Sequence, residues 1–308
     1  MSISLFTLLT AILCVPPAIA GWPGSRLSRR VQQPDLVRLA TYIVATLLIP
    51  ANLYASLFSD VWSVGMGKLL TIAIICANVV GVGFLLLFVQ ERWIHSSPAA
   101  RPRRIVAVGA HPDDLELACG GTIAKLHDAG HEIHALVMSG GEVGGDQSKR
   151  PHEAVRGGRL LGTTSVVVHE FPDTRLRENE LEMTQVIEEA IRRYNPDIVL
   201  THSSNDQHQD HHAVHLATLR AARQHPAILC YESPSVTADF TPKVFVDIGD
   251  YVDVKVSAVQ THRDQRGKPY MSGDRIRGLA SFRGAQAKIE HAEGYETVRL
   301  LCSSVGDL

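Results

Sequence analysis

Two short stretches of this 308-residue chain concentrate the side chains that do chemistry. The first reads Gly109-Ala110-His111-Pro112-Asp113-Asp114, an imidazole followed by adjacent carboxylates. The second reads Asn205-Asp206-Gln207-His208-Gln209-Asp210-His211-His212-Ala213-Val214-His215, a run of nitrogen and carboxylate donors. A catalytic zinc takes three protein ligands from His and Asp/Glu and keeps a position for water, so neither stretch suffices alone but the two together do. His111, Asp114 and His211 are the expected ligands, with iron(II) a competitor for the same donors. Asp113 is then left with nothing to bind, and a spare carboxylate beside an activated water is what a general base requires. His208, three residues before His211, supplies the acid or oxyanion stabiliser, with Asp210 able to orient or charge-stabilise an imidazole. These roles fit hydrolysis of an amide: water adds to the carbonyl, Asp113 takes its proton, metal and His208 steady the oxyanion, and the amine departs protonated.

Read alone, the His-Pro-Asp-Asp turn would also serve as a helix N-cap, and the His-rich run as a solvated helix start. Finding both after separate strands of one sheet favours a site. His215, one helical turn beyond His211, is open between ligand, substrate contact and a support behind the ligands; the last is preferred. His127, His131, His134, His225 and His291 have no donor cluster around them and are read as structural or surface residues.

The elements that must position these residues begin at Arg104, where short β-rich runs start to alternate with helical ones. Strands are expected at 105–110, 133–138, 166–168 and 198–201, and helices at 117–129, 151–161 and 181–194, stopped by Gly130, Gly162 and Asn195-Pro196. The product is an α/β fold, an open and mostly parallel sheet with helices on both faces. Ligands of such sheets bind beyond the carboxyl ends of the strands, where both donor stretches fall.

Residues 1–94 read as a membrane region with two or three transmembrane helices, 95–103 as a linker rich in Ser and Pro, and 104–308 as the catalytic domain. The stretch 69–89 carries no charge and matches the ~20 residues that span a bilayer core. The stretch 39–58 is nearly as apolar, with Pro50 and Asn52 as its exceptions. The stretch 3–22 is open between a first span and a signal peptide ending at Ala18-Ile19-Ala20; Arg26, Arg29 and Arg30 after it, with no basic residue before it, favour the span. Alternation puts the Asp60 loop outside and Arg92, Arg101, Arg103 and Arg104 inside, so an integral membrane protein with its catalytic domain on the cytoplasmic face is expected.

Charge narrows the partners. Residues 1–100 hold six Lys/Arg and three Asp/Glu, which leaves 24 basic against 29 acidic side chains in the remainder. A mildly acidic catalytic part is not a phosphate-backbone binder, so nucleic acid is not an expected partner. Cys14, Cys76, Cys119, Cys230 and Cys302 include no CxxC pair, so neither a disulfide framework nor a thiolate zinc site is indicated.

From about Arg104 to Leu300 the sequence resembles the PIG-L/LmbE family of zinc-dependent N-acetylglucosaminyl deacetylases. The resemblance rests on His111-Pro112-Asp113-Asp114-Leu115-Glu116 with Cys119-Gly120-Gly121-Thr122, and on His208-Gln209-Asp210-His211 with His215. Between and after them come Gly141-Glu142, Arg150 with Glu153, Phe171-Pro172-Asp173, Lys255 with Gln265, Arg283-Gly284 and Ala292-Glu293-Gly294-Tyr295-Glu296. The chain departs from the pattern at Gln209, usually Pro, and at Glu116, where the family's acidic residue directly follows the Asp pair. The resemblance implies a Rossmann-like sheet, zinc on His111, Asp114 and His211, Asp113 as base, and His208 at the carbonyl or the leaving amine. It also implies an amino-sugar or glycoconjugate substrate, and the membrane region suggests a lipid-linked one. The rivals are an amidase of a larger conjugate, such as a thiol-sugar conjugate, and a metal-free glycan-binding module.

Overall fold

The computed structural model describes residues 3–20, 22, 27–57 and 64–301, so Arg26, Asp60 and Cys302 lie outside the described residues. The chain divides into two compact units, Met1–His95 and Ser96–Leu308.

The first unit is helical, with α1 (Ile3–Ala20), α2 (Pro34–Leu57) and α3 (Val64–Glu91). Among the described residues, the segments Pro34–Ala55 and Lys68–Glu91, with mean hydropathy 1.6 and 2.7, are long and apolar enough to cross a membrane. Their contact joins the apolar cluster of Val44, Leu48, Val82 and Leu85 to a buried polar pair. Asn52 and Asn78 are buried against each other and exchange amide hydrogen bonds of 2.9 and 3.1 Å. Meanwhile Leu47, Leu69, Val79, Val80 and Leu87 are 63–69% exposed. Pairing the two amides satisfies polar groups that would be costly to leave unbonded in an apolar setting.

The second unit is built on one seven-stranded sheet of order β3-β2-β1-β4-β5-β7-β6. Its strands are β1 (Arg104–Gly109), β2 (Glu132–Ser139), β3 (Ser165–Phe171), β4 (Ile198–His202), β5 (Ala227–Tyr231), β6 (Val244–Asp247) and β7 (Ala292–Leu300). The first five pair in parallel, and β7 runs antiparallel to both β5 and β6. The helices are α4 (Asp114–Asp128), α5 (Arg150–Leu161), α6 (Glu180–Tyr194), α7 (Gln209–Ala221), α8 (Val252–Val259) and α9 (Gly273–Ala287). The three stops named from sequence end their helices as expected: Gly162 and Asn195 are left-handed C-caps of α5 and α6, and Gly130 follows α4 at φ +93°.

Alternation along β1 and β2 assigns the two faces. Val106, Val108, Leu136 and Met138 pack against Met183 and Ile187 of α6 and Val214 and Ala217 of α7. On the opposite face Gly109 lies against Leu115 of α4, and Leu117 joins Val256, Val259, Met271 and Ile276 in a core with α8 and α9. With both faces covered, β1, β4 and β5 are buried almost throughout, while the edge strand β3 is half-exposed. The order 3-2-1-4-5 places the topological switch between β1 and β4, and that crevice is where doubly wound sheets bind ligands. Both donor stretches open from it.

Helix α4 breaks at Cys119, whose φ of −132° and ψ of 19° free the amides of the turn that follows. Glu293 of β7 caps them, accepting from Gly121 N at 2.9 Å and Thr122 N at 2.8 Å, and Lys255 Nζ pairs with the same carboxylate at 2.6 Å. A Cβ at Gly121 would stand 2.8 Å from Ile248 Cγ2, so this turn requires glycine. Glu293→Ala therefore strands a buried ammonium and two helix amides, and a loss of about 3–5 kcal/mol is expected in denaturant unfolding. A variant as stable as the parent would show that the pair contributes nothing to the fold.

Candidate active site

The turn after β1 is drawn tight by Asp114, whose Oδ2 accepts from Ala110 N at 3.0 Å and His111 N at 2.7 Å. Its Oδ1 is left facing His211 Nε2 at 3.3 Å, and His111 Nδ1 stands 3.5 Å from Oδ2. Burial alone would raise this carboxyl, but the His211 and His202 imidazoles hold it well below the usual range.

Each histidine is gripped from behind by carboxylates. His111 Nε2 lies 3.1 Å from both Asp173 Oδ1 and Asp210 Oδ2, and His211 Nδ1 lies 2.8 Å from Asp206 Oδ2. Asp206 is itself fixed by the Ser233 and Ser235 hydroxyls and the His208 amide. Burial works against charging these rings. Even so, Asp114 and Asp206 push His211 up to about 9, and Asp114, Asp173 and Asp210 push His111 well above its ordinary value. The site thus draws positive charge to the face of Asp114.

The donor set fits a divalent cation. With the far nitrogen of each ring committed to a carboxylate, the near nitrogen is free to offer a lone pair toward Asp114. Two ligands about 2.1 Å from a tetrahedral zinc stand roughly 3.4 Å apart, close to the 3.3 and 3.5 Å seen here. His111, His208 and His211 also offer ring nitrogens within 4.8 Å of one another.

Asp113 occupies φ +126°, a conformation that side-chain-bearing residues rarely adopt and that costs about 1–3 kcal/mol. It stands at the N-cap position of α4, but its side chain makes no capping hydrogen bond. Its carboxylate lines the cavity instead, 3.4 Å from Arg150 Nη2. Burial first, and Asp114's charge second, push it up to about 6. Arg150 is anchored by Nη1 donating to Gly141 O at 2.6 Å, and a Cβ on Gly141 would collide with that same nitrogen.

His208 caps α7, its Nδ1 accepting the Asp210 amide at 3.3 Å, which leaves Nε2 to carry the proton of the neutral ring. Burial, then the neighbouring His211 and His111 charges, lower its basicity, so that N–H persists near neutral pH. Its ring stacks on His211 with centroids 4.4 Å apart and borders the same cavity of about 250 Å³.

The structure thus gathers His111, Asp113, Asp114, His208 and His211 around one cavity. The imidazole that Asp210 orients is that of His111: its carboxylate meets His111 Nε2 and accepts from Thr174 N at 2.6 Å and Leu176 N at 3.1 Å. Only its backbone reaches His208. His215 bonds the His202 carbonyl at 2.8 Å and does not line the cavity, consistent with support from behind. His131, His134 and His225 serve the framework, on Arg103 N, Ser165 and two backbone carbonyls respectively.

Sequence reasoning passed over His202, which is fully buried, stacks on His211 at 3.9 Å and accepts the Ala110 amide through Nε2 at 3.1 Å. It gave no role to Asp206, and Asp173 and Arg150 entered only through the family resemblance. The available signal was position: His202 ends β4, Asp173 follows β3 and Ser233 follows β5, all at the carboxyl edge of the sheet.

Comparison with known proteins agrees with this geometry. The family model PIG-L, described as GlcNAc-PI de-N-acetylase, matches residues 106–222, a segment holding both donor stretches. The chain is 38% identical over 174 residues to the uncharacterized deacetylase YaiS of Escherichia coli, covering 54% of this chain and 94% of that relative. It is 29% identical over 228 residues to the diacetylchitobiose deacetylase of Thermococcus kodakarensis, covering 64% of this chain and 83% of the relative. The crystal structure of a conserved protein from Thermus thermophilus, TT1542, superposes with a TM-score of 0.58 at 25% identity, covering 65% of this chain and 96% of that one. With an E. coli deacetylase matched almost end to end and the site residues inside the matched segment, the chain belongs to the PIG-L family of de-N-acetylases.

Proposed function

We propose that the protein removes the acetyl group from an N-acetylated amino sugar by divalent-metal-dependent hydrolysis, with zinc the preferred ion and iron(II) its competitor. The observation that carries this reading is the pair of imidazoles, each backed by a carboxylate, meeting at Asp114 while Asp113 stays on the cavity wall. His111, Asp114 and His211 would hold the ion, which when bound supplies Lewis acidity to the amide carbonyl and acidifies water.

The remaining chemistry belongs to the chain. Asp113 takes the proton of the attacking water, and Arg150 holds its carboxylate in place. The His208 Nε2–H donates to the carbonyl oxygen as negative charge develops there. Asp113, now protonated, can return the proton to the departing amine, which leaves acetate and a free amino sugar. Asp210 and Asp173 keep His111 oriented, and Asp206 does the same for His211.

The base works only when ionised. Because its environment raises Asp113 to about 6, kcat/KM is expected to fall as pH drops below this region, approaching tenfold per unit. A bound cation would draw the limb to lower pH without changing its sign. A profile between pH 4 and 8 in which activity rises toward acid would contradict Asp113 as base.

The apolar helices support a membrane anchor. Only 28% and 17% of the two most apolar windows are buried, unlike the core helix of a soluble protein. Arg92, Arg101, Arg103 and Arg104 after α3 favour the cytoplasmic side for the rest of the chain. An anchored enzyme suits a lipid-linked or membrane-proximal glycoconjugate, since tethering raises effective concentration at the bilayer surface. The test is a panel of N-acetylated sugars, free and lipid-linked, scored for acetate and new primary amine. Release of a bulky acyl group with none of acetate would defeat this reading.

A further inference from the structure

The cavity wall includes a cation that the hydrolytic scheme does not use. Lys268 lies between the short helices Arg263–Gln265 and Pro269–Met271, half-buried, and lines the cavity with Tyr270. Its ammonium donates to Gly144 O at 3.3 Å, a carbonyl already served by Gln265 Nε2 at 3.3 Å. An ammonium carries three donors, so this bond leaves most of its capacity unspent.

The other charges lining the cavity are matched. Asp113 faces Arg150, Asp114 faces His211, and Asp173 takes His111 together with the amides of Val143 and Gly144. Arg150 is committed to Asp113 and to the carbonyls of Gly141 and Pro112. Among the described residues, Lys268 is in no ion pair.

We propose that Lys268 is a specificity-determining residue that binds an anionic substituent, phosphate or carboxylate, carried by the N-acetylated sugar. This rests on the deacetylase reading above. A lysine is a compact charge on a flexible stem and holds an anion without imposing bidentate geometry, so both groups suit it. The Tyr270 ring, 5.9 Å from Lys268 Nζ, flanks it with a flat apolar surface of the kind on which a sugar face rests.

The test compares acetate release from methyl N-acetylglucosaminide, N-acetylglucosamine 1-phosphate and N-acetylmuramic acid, using the full-length, zinc-loaded protein. The wild type should favour one or both anionic substrates by roughly five- to tenfold, carried in KM and shrinking as salt is raised. Which of the two is favoured tells phosphate from carboxylate. Lys268→Met should bring the ratio near unity, Lys268→Glu should invert it, and Lys268→Arg should largely preserve it. A lysine that only tethers the Gly144 loop would affect all three substrates equally, and that outcome overturns the proposal. So does a wild type that treats neutral and anionic sugars alike, or a preference that survives Lys268→Glu; in either case the deacetylase reading stands. If no substrate releases acetate, the deacetylase reading fails and takes this inference with it.

Discussion

Asp113→Asn is expected to lower kcat for acetate release by about 10²–10⁴-fold while the protein still binds one equivalent of zinc. The two effects separate because the chain uses adjacent carboxylates differently. Asp114 bonds two backbone amides and faces both histidines, whereas the contact of Asp113 is with Arg150. Asparagine keeps the size of the side chain and tolerates positive φ better than most residues, so the strained turn should survive. It cannot accept the proton. The measurement is steady-state kinetics paired with metal analysis of the purified variant. Loss of zinc together with activity would make Asp113 a ligand and leave the base unidentified.

His211→Ala should remove both zinc and activity, because it deletes one of the three proposed ligands and leaves Asp114 and Asp206 facing each other without the intervening ring. Asp206→Ala should be milder. It spares the ligand but frees Nδ1 to lose its tautomer and orientation, and such supporting groups typically account for 10–100-fold in metal affinity, as an order of magnitude. A competition titration with a chromophoric chelator reads both. His211→Ala with undiminished zinc affinity would place the ion elsewhere, and Asp206→Ala weaker than His211→Ala would invert the hierarchy of the site.

The clustered donors of the cavity were legible because His and Asp runs sit directly after strands whose apolar runs are bounded by clear stops. Strands β1 to β4 and helices α4 to α6 followed from the same pattern, within a few residues at each end. Their partners were hidden for a different reason. Asp173 and His202 gain their roles only when separate strand ends meet at the β1/β4 crevice, so nothing in their local sequence marks the contact, whereas Asp206 reaches His211 within one loop and helix start. Strands β5 to β7 and helices α8 and α9 were not marked out, and β7 shows why: it opens by burying Glu293, a charge whose partners Lys255, Gly121 and Thr122 lie on other elements. Several residues of the family pattern distant from the cavity prove to be framework. Arg283 pairs with Glu232, Glu296 ties Ser203 and Asn205 behind the β4 loop, and Gly284 packs against the backbone of Glu290. Which imidazole Asp210 serves was hidden for the same geometric reason, since its neighbour in sequence is His208 but its neighbour in space is His111.

On the proposed reading two distant loops hold one divalent ion, and deacetylation requires it. Stripping the full-length protein with a chelator, then adding zinc in measured portions while following acetate release from an N-acetylglucosaminide, tests it most directly. Activity should vanish on stripping and return in proportion to zinc, saturating at one equivalent. Acetate release that survives complete removal of metal would show that the reaction needs no ion.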